Sequence, residues 1–269
     1  DTLARTGFKD FTICDFDIVE SSNLNRLPFT PEYVGMTKTL AWEKYLKTVN
    51  PHINIQTYQH KLGKHDEPLV KEIISKNDLI ILNTSEYEAN FVIARVCFNL
   101  KKRMIVGPGT ANCWIVSTFT HENNISMETV GGFGTEKTDV KDVNYEETMK
   151  YYIALNKIPG RSERFEPGIM DKIRKGDLAF RSCKIFVSLV KSAQTWEAVK
   201  NLAVLRGLKL KNTSIVKFPI MQIFDPFRGS SFYWNAQSKE VGIPNWLTGN
   251  ISWQLYTEEE KCPSQFEKI

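Results

Sequence analysis

Residues 15–26, DFDIVESSNLNR, hold carboxylates (Asp15, Asp17, Glu20), asparagines (Asn23, Asn25) and an arginine (Arg26) in one polar run, and Lys38 follows soon after. These side chains are suited to a phosphorylated ligand. Asp15 comes directly after the apolar run FTIC. It therefore closes a strand, where an acidic side chain accepts hydrogen bonds from ribose hydroxyls in nucleotide-binding folds. A turn or cap role fits the same position. Arg26 and Lys38 add positive charge. Lys38 falls at the start of a helix, where a cation is disfavoured unless a bound anion offsets it. Asn23 and Asn25 donate and accept without adding charge. Two cations and an amide beside a ribose-type aspartate fit a triphosphate better than a dinucleotide. An NAD-dependent oxidoreductase would account for Asp15 and leave Arg26 and Lys38 without purpose. Asp17 and Glu20 read as acceptors for hydrogen bonds within the loop.

These groups need a scaffold, and the hydrophobic pattern supplies one. Residues 11–15 read as a strand. Leu40, Ala41, Tyr45, Leu46 and Val49 recur at helical spacing over 36–49, and Pro51 stops that helix. Residues 53–58 alternate as a strand, 68–74 as a short helix, and DLIIL (78–82) is a continuous apolar run of the parallel-sheet kind. A helix over 91–100 and a strand over 104–107 continue the alternation. The fold class is α/β: a Rossmann-like, mostly parallel sheet with flanking helices, plus antiparallel strands at the C-terminal side. A strand over 113–120 leaves the parallel pattern, a long helix spans 184–205 with Gly207 as its stop, and strands follow over 214–224 and 230–234.

Three regions follow: a nucleotide-binding core over 1–120, an insertion or substrate-recognition segment over 121–182, and a helix with strands over 183–269 that completes the same domain. The first strand of a doubly wound sheet and its glycine-rich turn are expected upstream of residue 1.

Composition narrows the partners. The net charge is +4 over 269 residues and unclustered, so no nucleic-acid partner is expected. No run reaches the roughly 18 to 20 apolar residues of a membrane helix. The five cysteines are scattered without CxxC spacing and the four histidines are dispersed, so no zinc is expected. Buried thiols in a reducing, cytoplasmic setting are the plain reading of the cysteines.

Residues 3–55 carry a pattern of the form LAraG, DxDxVExSNLxR, VGxxK and NPxI, here LARTG, DFDIVESSNLNR, VGMTK and NPHI. This pattern resembles the ubiquitin-activating-enzyme-like adenylyltransferase superfamily with its ThiF, MoeB and HesA branches. DLIIL, MIVGPG, TWEAVKNLAVLRG and MQIFDPFRG extend the likeness more weakly. The resemblance implies ATP and Mg²⁺ as cofactors. It also implies adenylation of a carboxylate at the C-terminus of a peptide or a ubiquitin-like or sulfur-carrier protein, with release of pyrophosphate. By the same resemblance Asp15 would hold the ribose, Asn23 and Arg26 the phosphates, and Lys38 the charge near the α-phosphate. A homodimer is also implied. The chain departs from the family where a DxxDN segment usually supplies the magnesium aspartate: Leu82, Ser85 and Glu86 stand there. Glu86 or Glu88 is the substitute carboxylate, Glu86 the first candidate, because magnesium takes oxygen ligands and tolerates intervening water. Some relatives form a thioester on a cysteine; Cys113 and Cys183 lack any neighbouring histidine and read as structural. The alternative function is a catalytically degenerate member that keeps the fold for nucleotide binding or dimerisation.

Overall fold

The computed structural model describes residues 1–149 and 184–256, apart from positions 108, 111, 112, 212, 226–229, 246, 247 and 249. The N-terminal part alternates as its pattern dictates. A short helix α1 (Thr2–Arg5) leads to β1 (Asp10–Cys14), α2 (Lys38–Val49) and β2 (Asn54–Tyr58). Then come α3 (Glu67–Ser75), β3 (Leu79–Leu82), α4 (Tyr87–Asn99) and β4 (Arg103–Val106). β1 and β2 pair in parallel, from Asp10 opposite Asn54 to Cys14 opposite Tyr58. α2 covers them, packing Leu46, Trp42, Tyr45 and Val49 against Phe11, Ile13, Ile53 and Ile55. Thr37 caps that helix by accepting from the Leu40 amide, which satisfies one of its unpaired N-terminal donors.

A second, larger sheet holds the remaining strands. They are β5 (Gly109–Thr110), β6 (Cys113–Phe119), β7 (Ile220–Asp225), β8 (Ser230–Asn235), β9 (Glu240–Pro244) and β10 (Ile251–Leu255). Its order is β10-β9-β8-β7-β6-β4-β3, with β5 beside β6. β3 and β4 pair in parallel; β6 departs from that direction, and every pairing from it to β10 is antiparallel. The C-terminal antiparallel side is thus wider than the pattern read from the sequence, because β9 and β10 carry only weak alternation. Of the strand expected over 214–224, only its second half is strand; Val216 and Phe218 instead bond the Thr118 backbone singly. α4 begins a turn before the expected Phe91, since Tyr87 and Ala89 are already buried. β3 is half-buried along its whole length rather than enclosed, because it pairs on one side only among the described residues.

The segment that resisted reading is partly built into the core. Met127, on a short helix α5 (Met127–Gly131), joins Phe133, Val140, Val143 and Tyr145 in the main hydrophobic cluster with Phe91, Val92 and Val96. Arg95 of α4 ties this segment down. Its guanidinium donates from Nε to Glu128 Oε1 at 2.8 Å and from Nη2 to the Thr135 carbonyl at 2.8 Å, and it also pairs with Glu128 Oε2. Residues 150–182, which complete the expected recognition segment, lie outside the described residues, as does Cys183.

The long helix α6 (Lys184–Leu205) runs over β6 and β4, with Ala198 seated on Ile105 and Val116. Its buried polar residues find partners on one another, on β6 and on residues 214–216. Asn201 donates to Thr118 Oγ1 at 3.0 Å, Lys200 pairs with Glu197 and donates to the Ser214 carbonyl at 2.6 Å, and Glu197 accepts from the Val216 amide at 3.3 Å. At the end of β4, Gly107 lets α6 approach: a Cβ there would lie 2.5 Å from Gln194 Nε2.

Candidate functional site

The loop after β1 is folded back onto the start of α2. Ile18 and Thr37 form a bridge, Val19 donates to the Met36 carbonyl at 2.8 Å, and the Gly35 amide donates to the Val19 carbonyl at 2.9 Å. Gly35 has φ +89°, in the left-handed region where a side chain is strained. Beneath the loop, Val19, Phe29 and Ala41 are buried together. The sequence VGMTK therefore supplies the turn and VE the anchor, and the polar residues around them are presented on a fixed frame.

Asp15 is half-buried at the carboxyl end of β1. One carboxylate oxygen, Oδ1, accepts from the Asp17 amide at 2.9 Å. Its other oxygen has no hydrogen bond among the described residues and is available to a ligand hydroxyl. Asp17 has a partner that its loop role alone did not foresee: Oδ2 lies 2.5 Å from Lys38 Nζ, while the Lys38 amide donates to the Asp17 carbonyl at 2.8 Å. That carboxylate offsets the cost of a cation at a helix start. Asn23 is 5% exposed, and its amide closes the turn by accepting from the Glu20 amide at 3.3 Å and donating to Ser22 Oγ at 3.3 Å. Arg26 projects beyond that turn, with Nη1 donating to the Ser22 carbonyl and to Asn25 Oδ1, each at 3.0 Å. Asp15, Asp17, Asn23, Arg26 and Lys38 thus share one loop frame.

Across from it stands the start of α4. Glu86 occupies the position just before the helix, and its Oε2 lies 3.7 Å from Lys61 Nζ. The Lys61 ammonium also sits 5.2 Å from the centre of the Phe16 ring, an attractive cation–π placement. Lys61 therefore joins the residue next to Asp15 to the segment that holds Ser85 and Glu86. Its loop is braced by Asp66, which accepts from the Gly63 amide and meets His60 Nε2, both at 2.8 Å. Sequence reasoning passed over Lys61; the available signal was its place in a polar loop at the carboxyl end of a strand neighbouring β1. Asn83, just after β3, is held by Gln194 of α6 at 2.7 Å. Among the described residues no group of three or more His, Cys, Asp or Glu side chains is arranged to hold a metal ion. Glu86 and Glu88 offer oxygen donors beside Ser85, the ligand type that magnesium takes together with phosphate oxygens and water.

Cys14 stands at the end of β1. Burial, with the charges of Asp15 and Asp66, pushes its thiol up to about 11. Cys97 in the core is pushed up to about 12, chiefly by burial.

Comparison with known proteins bears on the family and the fold. The model of the ThiF family matches residues 1–224. A protein named molybdopterin-synthase adenylyltransferase from Haemophilus influenzae is 35% identical over 45% of this chain and 49% of its own length. A ubiquitin-like modifier-activating enzyme 5 from Dictyostelium discoideum is 24% identical over 58% of this chain and 49% of its own. The chain therefore spans about half the length of these curated relatives. Among solved structures, PaaA superposes with a TM-score of 0.61 at 14% identity, covering 87% of this chain and 58% of that one. E. coli MccB, in a crystal structure with ATP, gives 0.58 at 13% identity over 88% of this chain and 59% of its own; likenesses this remote speak to the fold. A parallel β1–β2 unit whose loop presents Asp15, Arg26 and Lys38, and a family match over more than four-fifths of the sequence, lead to one conclusion: this chain belongs to the ThiF family.

Proposed function

We propose that this protein activates a carboxylate with ATP, forming an acyl-adenylate and releasing pyrophosphate. The observation that carries the reading is the fixed loop frame that presents a ribose-type carboxylate, Asp15, with two cations, Arg26 and Lys38. The names of relatives support it: adenylyltransferase for one, modifier-activating enzyme for another, and a crystal structure with ATP for MccB. In the reaction, a carboxylate oxygen of the acceptor attacks the α-phosphorus. The new C(O)O–P bond forms as the bond to the bridging oxygen breaks, and its electron pair leaves with pyrophosphate. No proton needs to move, which suits a site rich in cations and poor in bases.

Each residue then has a task. The free oxygen of Asp15 takes the ribose hydroxyls. Lys38, steadied by Asp17, neutralises charge growing at the α-phosphate, and Arg26 draws off the pyrophosphate, so that fixed charges stabilise the transition state. Asn23 acts by closing the turn from which Arg26 projects. Magnesium, when bound, screens the phosphate charge, and Glu86 is the carboxylate nearest the position where relatives by resemblance carry aspartate. The acceptor is a C-terminal carboxylate of a peptide or a small ubiquitin-like or sulfur-carrier protein.

Incubating the full-length protein with ATP, Mg²⁺ and a panel of such acceptors, then reading intact mass, tests this. One acceptor should gain the mass of AMP less water. If no acceptor gains it and ATP does not bind, the reading fails. A second reading, a nucleotide-binding or dimerisation module without catalysis, draws on one observation: Ser85 stands in the usual aspartate position and Glu86 is engaged by Lys61. ATP binding with no adenylate for any acceptor would favour it.

A further inference from the structure

Lys184 reaches the nucleotide side of the molecule from the far half of the chain. Its ammonium donates to the Arg26 carbonyl at 3.4 Å. Lys191 lies about two turns further along α6, on the same face, and its Nζ is 3.7 Å from Asp1 Oδ2. That helix face is therefore turned toward the β1–α2 half. The two lysines differ in one respect: Lys191 has a carboxylate beside it, whereas neither Lys184 nor Arg26 has one within ion-pair distance among the described residues. Among the described residues the Arg26 guanidinium is occupied only by neutral oxygens, those of Ser22 and Asn25. Burial, then the charge of Lys191, holds the Lys184 ammonium below its usual range, as expected where negative charge is short. Lys184 thus lies against the backbone of Arg26, from a distant part of the sequence, and neither side chain has a described acid beside it.

Resting on the adenylation reading, we infer that Lys184 is a phosphate-binding residue that joins Arg26 in holding the pyrophosphate end of ATP. Its place beside Arg26, rather than beside Asp15 or the Asp17–Lys38 pair, assigns it to that end. Ribose and α-phosphate are served by the β1 loop alone, while the leaving group is gripped from two sides. As the bond from the α-phosphorus to the bridging oxygen breaks, the charge that develops on pyrophosphate falls between Arg26 and Lys184. α6, which also fixes Asn83 through Gln194, thereby becomes part of the nucleotide site rather than only its support.

Calorimetric titration of the full-length protein with ATP, AMP and inorganic pyrophosphate separates this role from a structural one. Lys184→Ala should weaken ATP and pyrophosphate by about tenfold or more, the loss of one charge-assisted contact. AMP should bind within about twofold of wild type, because it lacks the groups that Lys184 would touch. Lys184→Arg should restore most of the loss. Equal weakening of AMP and ATP, or unchanged ATP affinity, would overturn the role of Lys184 while leaving adenylation intact. Failure of the wild type to bind ATP at all would remove the adenylation reading and this inference with it. If Lys184→Ala does not fold, Lys184→Gln, which keeps a donor to the Arg26 carbonyl but no charge, gives the same decision.

Discussion

Lys38 and Asp17 form an ion pair at the start of α2. The carboxylate holds the ammonium at the helix start, so Lys38 is already in place before any phosphate arrives. Lys38→Ala should lower the rate of adenylate formation by about 10²-fold or more, the size of one lost electrostatic donor. The KM for ATP should change far less, and steady-state kinetics on the same preparation separates the two. Cys14 and Cys97 make the opposite prediction, one of inertness. With Cys14 raised to about 11 and Cys97 to about 12, roughly a thousandth of Cys14 or less is thiolate at pH 8. Iodoacetamide followed by peptide mass mapping should leave both largely unlabelled in the folded protein; rapid labelling of Cys14 would contradict its buried, acid-flanked setting. The sequence made Asp15, Arg26 and Lys38 legible because each lies next to a local signal, a strand end, a turn or a helix start. Asn23 is assigned to the phosphates by the resemblance alone. Its burial and its bonds to Glu20 and Ser22 depend on how the turn closes, which no spacing encodes.

At the scale of elements, ion pairs between elements carry the weight. Arg95 and Glu128 are almost wholly buried and bind segment 126–138 to α4. Removing one partner of such a pair leaves the other charge unpaired, so Glu128→Gln should cost about 3 kcal/mol in urea unfolding. Glu122 is a milder case. Its hydrogen bond from Lys217, with the charges of Lys217 and Arg103, holds its carboxyl below the usual range. A depressed carboxylate contributes stability that is complete above its unfolded pKa, about 4.3. That stability is lost as pH falls through the folded value. The advantage of wild type over Glu122→Gln should therefore be present at pH 7 and shrink below about pH 4. Because the pair is partly solvated, it should stay within about 1 kcal/mol. Helices and parallel strands were readable from periodicity, and α2, β2 and β3 lie where it put them. β9 and β10 were not. Exposed on an antiparallel edge, residues such as Ser252 and Gln254 alternate with Trp253 and Leu255 too briefly to stand out. Segment 121–149 was opaque for another reason: Met127, Phe133, Val140 and Tyr145 enter the core one at a time from turns and short helices, without a period.

The whole molecule joins two unlike halves. The β1–β2 unit carries the polar loop and the larger sheet carries Ser85 and Glu86; Leu3 and Phe8 pack on the larger sheet with Ile105 and Val116, and side chains such as Lys61 and Lys184 also reach across. Such long-range partners leave no trace in local sequence, which is why Lys61 and Lys184 could not be picked out while the β1 loop and Glu86 could. The family match over residues 1–224 gives the inherited architecture. The measurement that bears most directly on this account is ATP–pyrophosphate exchange by the full-length protein with a panel of peptide and small-protein carboxylates, run beside Arg26→Ala. Exchange with at least one acceptor, reduced by about 10²-fold or more in Arg26→Ala while its unfolding midpoint is unchanged, is the predicted result. Exchange that survives the loss of Arg26, or is absent with every acceptor together with no ATP binding, would contradict it.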